Sequence, residues 1–164
     1  MLLRTLSAIE ECTNHLNESQ AWTTQVESYL TQYILVILCA DVQQSVYALL
    51  DERISASSSD DIGLKGFAYS MGVRCLRSFG KGDLTRFLSL FGKDISNAFT
   101  NSLEDRTVTI YNNAVANRHE VAHNSGSTIT FRELADIYAA AVSVLEAMRN
   151  SLKSIELPPN VADK

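Results

Sequence analysis

From Tyr29 to Ile54, apolar residues return every three or four positions: Leu30, Tyr33, Ile34, Ile37, Leu38, Val42, Val46, Leu49, Leu50 and Ile54. This is α-helical spacing kept up for about seven turns, far too long for a strand. A helix of that length needs other helices to cover its apolar side, and the rest of the chain offers them. Apolar spacing of the same kind runs through Phe67, Met71, Val73 and Leu76, through Ile110, Tyr111, Ala114, Val115, Val121 and Ala122, and through Leu134, Ile137, Tyr138, Ala141, Val144, Leu145 and Met148. Only 2 prolines and 7 glycines interrupt 164 residues.

Punctuation between these runs is short. Ser55 to Asp61 is a polar break, and Gly80-Lys81-Gly82 ends the second helical region. Asp83 is the expected N-cap of a short helix from Leu84 to Phe91, and Gly92 with Asp94 resets the chain for another from Ile95. Thr107 is expected to open the next helix; Thr107-Val108-Thr109-Ile110 offers the only strand-like alternation, and it runs into helical spacing. Thr130 with Glu133 three positions on is a capping-box signal for the last helix. Pro158-Pro159 then stops regular structure. The expected fold is all-α: a single antiparallel helical bundle over residues 1–155, its core between residues 29 and 152, with a flexible tail from 156 to 164.

Location and charge limit the functional classes. Cys12, Cys39 and Cys75 are odd in number, far apart and without a C-x-x-C pair, which fits free thiols in a reducing cytoplasm. The N-terminus lacks a long apolar stretch before Glu10-Glu11, so no signal peptide is expected. The most apolar run, Ile34 to Ala40, is far short of a membrane span, so no membrane partner is expected. Net charge is −5, so the surface as a whole is not built to hold a polyanion. Between Lys65 and Lys93, however, six basic residues face one acid, Asp83. Arg74, Arg77, Lys81 and Arg86 are the RNA-contact candidates there, interleaved with Phe67, Tyr69, Phe79, Phe87 and Phe91 for base stacking. Gly80-Lys81 and Gly92-Lys93 are not P-loops, because the upstream glycine and the following Ser or Thr are missing.

Arg118-His119-Glu120-Val121-Ala122-His123 carries the chemistry. Two frames overlap in it. His119 and His123 lie four apart in H-E-x-x-H, the spacing that lets two imidazoles on one helix face hold zinc with Glu120 as base. Ile129 stands where the extended form of that pattern has its third histidine; Glu133 and Glu146 are the substitute ligands, and no sheet edge is visible to hold a peptide. Arg118 and His123 frame an R-x4-H pair suited to cleaving RNA without a metal. A guanidinium never deprotonates and can bond two phosphoryl oxygens, while an imidazole can take or give a proton near neutral pH. Arg118 and His123 nevertheless point about 140° apart on an ideal helix, so they converge only if the helix loosens or a second subunit supplies one of them.

Arg118-His119-x-x-Ala122-His123, late in a small helical chain and followed by a capped final helix, resembles a HEPN domain. It is most similar to the RiboL-PSP-type group, and the resemblance covers Tyr29 to Leu152. It implies a metal-independent endoribonuclease of toxin or anti-phage defence systems, needing no cofactor. It also implies a homodimer in which the two motifs share one composite cleft. Arg118 and His123 would be catalytic, with His119 in the polar position beside the arginine. A cognate antitoxin or defence-complex partner is a further expectation. Members paired with small nucleotidyltransferase antitoxins often carry a modifiable Tyr two residues after the motif histidine; Ser125 stands there, which speaks against that control. The alternatives are an inactive HEPN-like interaction subunit and a zinc hydrolase.

Asp41 falls on the apolar stripe of the long helix, where an unpaired carboxylate is costly. Arg118 or a histidine is the expected partner, with Asp41 orienting the site from behind; the alternative is an Asp at the edge of the stripe reaching water.

Overall fold

The computed structural model describes residues 2–76, 78–122 and 128–153, apart from the side chains of His119 and Ala122. The described residues form seven α-helices and no strand: α1 (Leu3–Glu18), α2 (Gln25–Ser55), α3 (Ile62–Cys75), α4 (Lys81–Leu88), α5 (Lys93–Asn101), α6 (Asp105–Ala122) and α7 (Leu134–Lys153). The all-α bundle expected from the spacing is present. The tail expected at 156–164 lies outside the described residues.

α2 is the axis of the bundle and touches α1, α3, α6 and α7. Thr24 caps it by accepting the Val26 N–H at 3.2 Å, so it begins four residues before Tyr29. Ile34, Leu38, Val42, Val46, Leu49 and Leu50 are buried as their spacing requires, whereas Tyr29, Tyr33 and Val36 remain exposed. Among the described helices, α2 is long and apolar enough to cross a membrane by length and composition, and 44% of its most apolar stretch is buried within the bundle.

α1 extends the core beyond the expected boundary at residue 29. Leu2, Ala8, Cys12 and Leu16 are buried, and α1 packs on α2 and α7. No side chain of its own caps this helix. Asp41 does so from α2: its carboxylate accepts the Thr5 N–H at 2.8 Å and the Thr5 hydroxyl at 2.9 Å. Arg4 Nε lies 3.7 Å from the same carboxylate, although its largely exposed side chain adds little. A carboxylate at a helix N-terminus satisfies a first-turn donor and complements the helix dipole. The expected pairing of Asp41 with Arg118 is therefore corrected; the alternative of a histidine partner, His119 or His123, falls on side chains outside the described residues. Among the described residues its partners are Thr5 and Arg4, because the start of α1 presents unsatisfied donors at that level of α2.

Local signals explain most of the other boundaries. Asp61 caps α3 by accepting the Leu64 N–H at 3.0 Å. Gly72 lets α3 approach α2, since a Cβ there would stand 2.5 Å from Leu50 Cδ2. α4 starts at Lys81 with Gly80 in the capping position, so Asp83 sits in the first turn and is not the cap. Gly92 takes φ 134°, a conformation open to glycine, and separates a 3-10 turn at Ser89–Phe91 from α5. α6 opens at Asp105, two residues before Thr107, and absorbs the strand-like alternation.

α7 is preceded by a 3-10 turn at Phe131–Glu133 that carries the expected capping box. Glu133 accepts the Thr130 N–H and hydroxyl, each at 2.7 Å. These two bonds hold its carboxyl below the ordinary carboxylate range, against a small opposing effect of burial.

Two measurements check these anchors. Asp41→Ala should lower unfolding free energy by about 2–3 kcal/mol in urea titration, because Thr5 is left with buried donors, and Asp41→Asn should cost less. A group with a lowered folded pKa contributes fully above its unfolded pKa and loses that contribution as pH falls through the folded pKa. The stability gap between wild type and Thr130→Val should therefore be constant near neutral pH and shrink only below the ordinary carboxylate range.

Candidate functional site

The inward face of α6 is set by Tyr111 and Ala114, both buried, and continues to Asn117. Asn117 is a polar residue in phase with an apolar stripe, and it has work there. Its Nδ2 donates to the Asn113 carbonyl and side-chain oxygens, each at 3.0 Å. Its Oδ1 accepts the Thr128 N–H at 2.9 Å and the Thr128 hydroxyl at 3.2 Å. Thr128 is thus tied back onto α6. Reading the motif alone passes over Asn117; its phase with Ile110 and Ala114 was the available signal.

One residue on, and about 100° round the helix, Arg118 is exposed. It borders a cavity of about 160 Å³ between α2 and α6, with Val36, Cys39 and Gln43 on one side and Ser78 and Phe79 on another. Among the described residues Arg118 makes no ion pair.

The segment from Ser78 to Lys81 is held to α6 by two bonds. The Tyr111 hydroxyl donates to the Phe79 carbonyl at 2.5 Å, and the Lys81 N–H donates to Asn112 Oδ1 at 3.0 Å. The Phe79 ring sits edge-on to Tyr47, with centroids 5.9 Å apart. Gln43 Nε2 donates to the Tyr47 hydroxyl at 3.0 Å. Burial pushes the Cys39 thiol up to about 11, with the Arg118 guanidinium pulling weakly the other way. Burial also raises Tyr111, reinforced by Cys39 and Asp83. Both groups stay neutral near pH 7, so among the described lining residues the guanidinium carries the charge.

The other sequence candidates fall in different places. His123 lies outside the described residues, as do Ser125, the expected helix break at Asn124-Ser125-Gly126 and the His119 side chain, so the His119–His123 spacing has no geometry to add. Glu133, named as a substitute zinc ligand, is committed to Thr130. Arg74 is exposed at the end of α3, Lys81 is half-buried at the start of α4, and Arg77 lies outside the described residues. Arg86 pairs with Asp83 at 3.8 Å within α4. Of the interleaved aromatics, Phe67 is exposed, Phe79 lines the cavity, and Phe87 is core, stacked edge-on with Phe91. The basic segment therefore meets the motif helix through Ser78 to Lys81.

Across residues 2–154 the chain matches the RiboL-PSP-HEPN family. No curated protein and no solved structure matches it.

The tie through Asn117 can be read directly. Asn117→Ala should cost about 1–2 kcal/mol, the range for losing a buried amide's bonds. In hydrogen exchange, the Thr128 amide should become markedly less protected while the Tyr111 amide keeps its wild-type protection. Unchanged protection at Thr128 would contradict this anchoring role.

Proposed function

The chain belongs to the RiboL-PSP-HEPN family, and from that membership we propose that it is a metal-independent endoribonuclease acting in toxin or anti-phage defence. The observation that carries this reading is Arg118, an exposed guanidinium with no ion pair among the described residues, at the rim of a cavity. A charge held without an acid partner is available for a phosphodiester.

In the proposed reaction the ribose 2′-hydroxyl loses its proton and attacks the adjacent phosphorus. The P–O5′ bond breaks, and the departing oxygen takes a proton. His123 serves as the proton-transfer group, His119 as a second proton or positioning group, and Arg118 as the clamp on the phosphoryl oxygens. The products are a 2′,3′-cyclic phosphate and a 5′-hydroxyl. In this proposal Arg74, Arg77 and Lys81 would hold the strand; Arg86 shares its charge with Asp83 at 3.8 Å.

A homodimer with a composite cleft completes the proposal. Val36 lines the cavity and is 45% exposed, and with Tyr29 and Tyr33 it forms an outward stripe at helical spacing along α2. A second copy docked on that stripe would bring its own motif toward the Arg118 cavity. The work would be done in the cytoplasm, under a cognate antitoxin or defence partner. A second reading, an inactive interaction subunit, is favoured by α3, which buries no residue and exposes Ile62, Leu64, Phe67 and Met71.

The test is cleavage of total RNA in EDTA. Wild type should cut and leave cyclic-phosphate ends, and Arg118→Ala should be slower by about 100-fold or more. Mixing Arg118→Ala with His123→Ala chains should restore part of the activity. A 5′-phosphate product or loss of activity in EDTA would rule out this route, and an inactive, non-toxic wild type would favour the interaction subunit.

A further inference from the structure

The cavity beside Arg118 has a composition that holding a phosphate does not require. Its walls are largely apolar, with Val36 from α2, Val115 from α6 and the Phe79 ring among them. Phe79 is oriented by its edge contact with Tyr47, and its backbone is held by Tyr111. Gln43, with its side-chain amide, and Ser78, with its hydroxyl, belong to the same lining. One Gln43 N–H goes to the Tyr47 hydroxyl, which orients the side chain. Among the described residues its second N–H and its Oε1 have no further partner, which leaves an adjacent donor and acceptor.

An apolar slot with a flat aromatic wall and one fixed donor–acceptor pair is suited to a nucleobase. The ring plane lies against apolar surface, and the amide reads the base edge, as Asn and Gln amides do with bases elsewhere. The volume of about 160 Å³ equals that of roughly five liquid waters, enough for a planar ring system. The guanidinium at the rim stands where the phosphate joined to that nucleotide would sit.

We propose that this cavity is a base-reading subsite in which Gln43 selects the nucleobase flanking the phosphodiester held by Arg118. The proposal rests on the ribonuclease reading and adds a determinant of sequence preference to it. Gln43 does no chemistry here; it is a specificity residue that acts on a neighbouring part of the substrate.

The test uses DNA oligonucleotides with a single ribonucleotide, so that one position alone supplies a 2′-hydroxyl. The base on each side is varied through all four, and kcat/KM is measured for wild type, Gln43→Leu and Val36→Trp. Wild type should favour one base on one side by about tenfold or more. Gln43→Leu should reduce that ratio to about twofold or less, with an unchanged melting temperature showing that the fold is intact. Val36→Trp, at the exposed mouth of the cavity, should lower kcat/KM for every flanking base. The proposal is overturned if Gln43→Leu keeps the wild-type preference, or if wild type cuts with no preference on either side.

All-deoxy versions separate this proposal from the one it rests on. If wild type does not cleave, yet binds these strands with a base preference that Gln43→Leu abolishes in fluorescence anisotropy, the subsite stands and the ribonuclease reading fails. If wild type neither cleaves nor discriminates bases in binding, both fail.

Discussion

A buried carboxylate in the middle of an apolar helix organises this bundle. Asp41 is 7% exposed and engages the first turn of α1 through the Thr5 backbone and hydroxyl. Without such donors its burial would be prohibitive, and without Asp41 the start of α1 would lack a cap. Each need answers the other, so the bond ties α1 to one level of α2. With that face of α2 occupied by α1, the faces carrying Val36, Cys39 and Gln43 are left for α6 and the segment before α4. The cavity beside Arg118 exists because the long helix is claimed on several sides.

Two neighbouring residues of α6 divide the labour at its far end. Asn117 turns inward and binds the returning chain at Thr128. Arg118, a third of a turn away, points to the cavity. A helix delivers this division for free, because successive residues differ by about 100°. The buried amide supplies rigidity and the exposed guanidinium supplies charge. Cys39 and Tyr111 beside it stay neutral near pH 7, since burial raises both. Among the described residues lining the cavity, Arg118 is the one charged group, on a protein whose net charge is −5.

The outer helices show the limits of composition as a guide to function. The basic, aromatic stretch from Lys65 to Lys93 reads as one patch, yet the structure disperses it. Phe87 goes to the core, Arg86 is tied to Asp83, and Phe79 becomes a cavity wall. α3 leaves Ile62, Leu64, Phe67 and Met71 exposed, packs the half-buried Tyr69 and Val73 against the core, and approaches α2 closely at Gly72. Charge and aromatic content are sums over a segment, whereas contact with a substrate depends on which side chains share a face.

The helices, their polar breaks, the capping box at Thr130–Glu133 and the motif around Arg118 were all legible in the chain, because each arises from neighbours within about one helical turn. α1 and the partner of Asp41 were not: the Thr5–Asp41 bond spans 36 residues, and no local period reports which helix will lie against which. The same holds for Gln43 and Ser78 beside Arg118, and for the bond from Asn117 to Thr128. The order of residues thus determined that the protein is a bundle of helices with a guanidinium near the end of one of them. Packing alone decided that this guanidinium would lack an acid partner among the described residues and border a cavity, because helix faces meet only when the whole core closes.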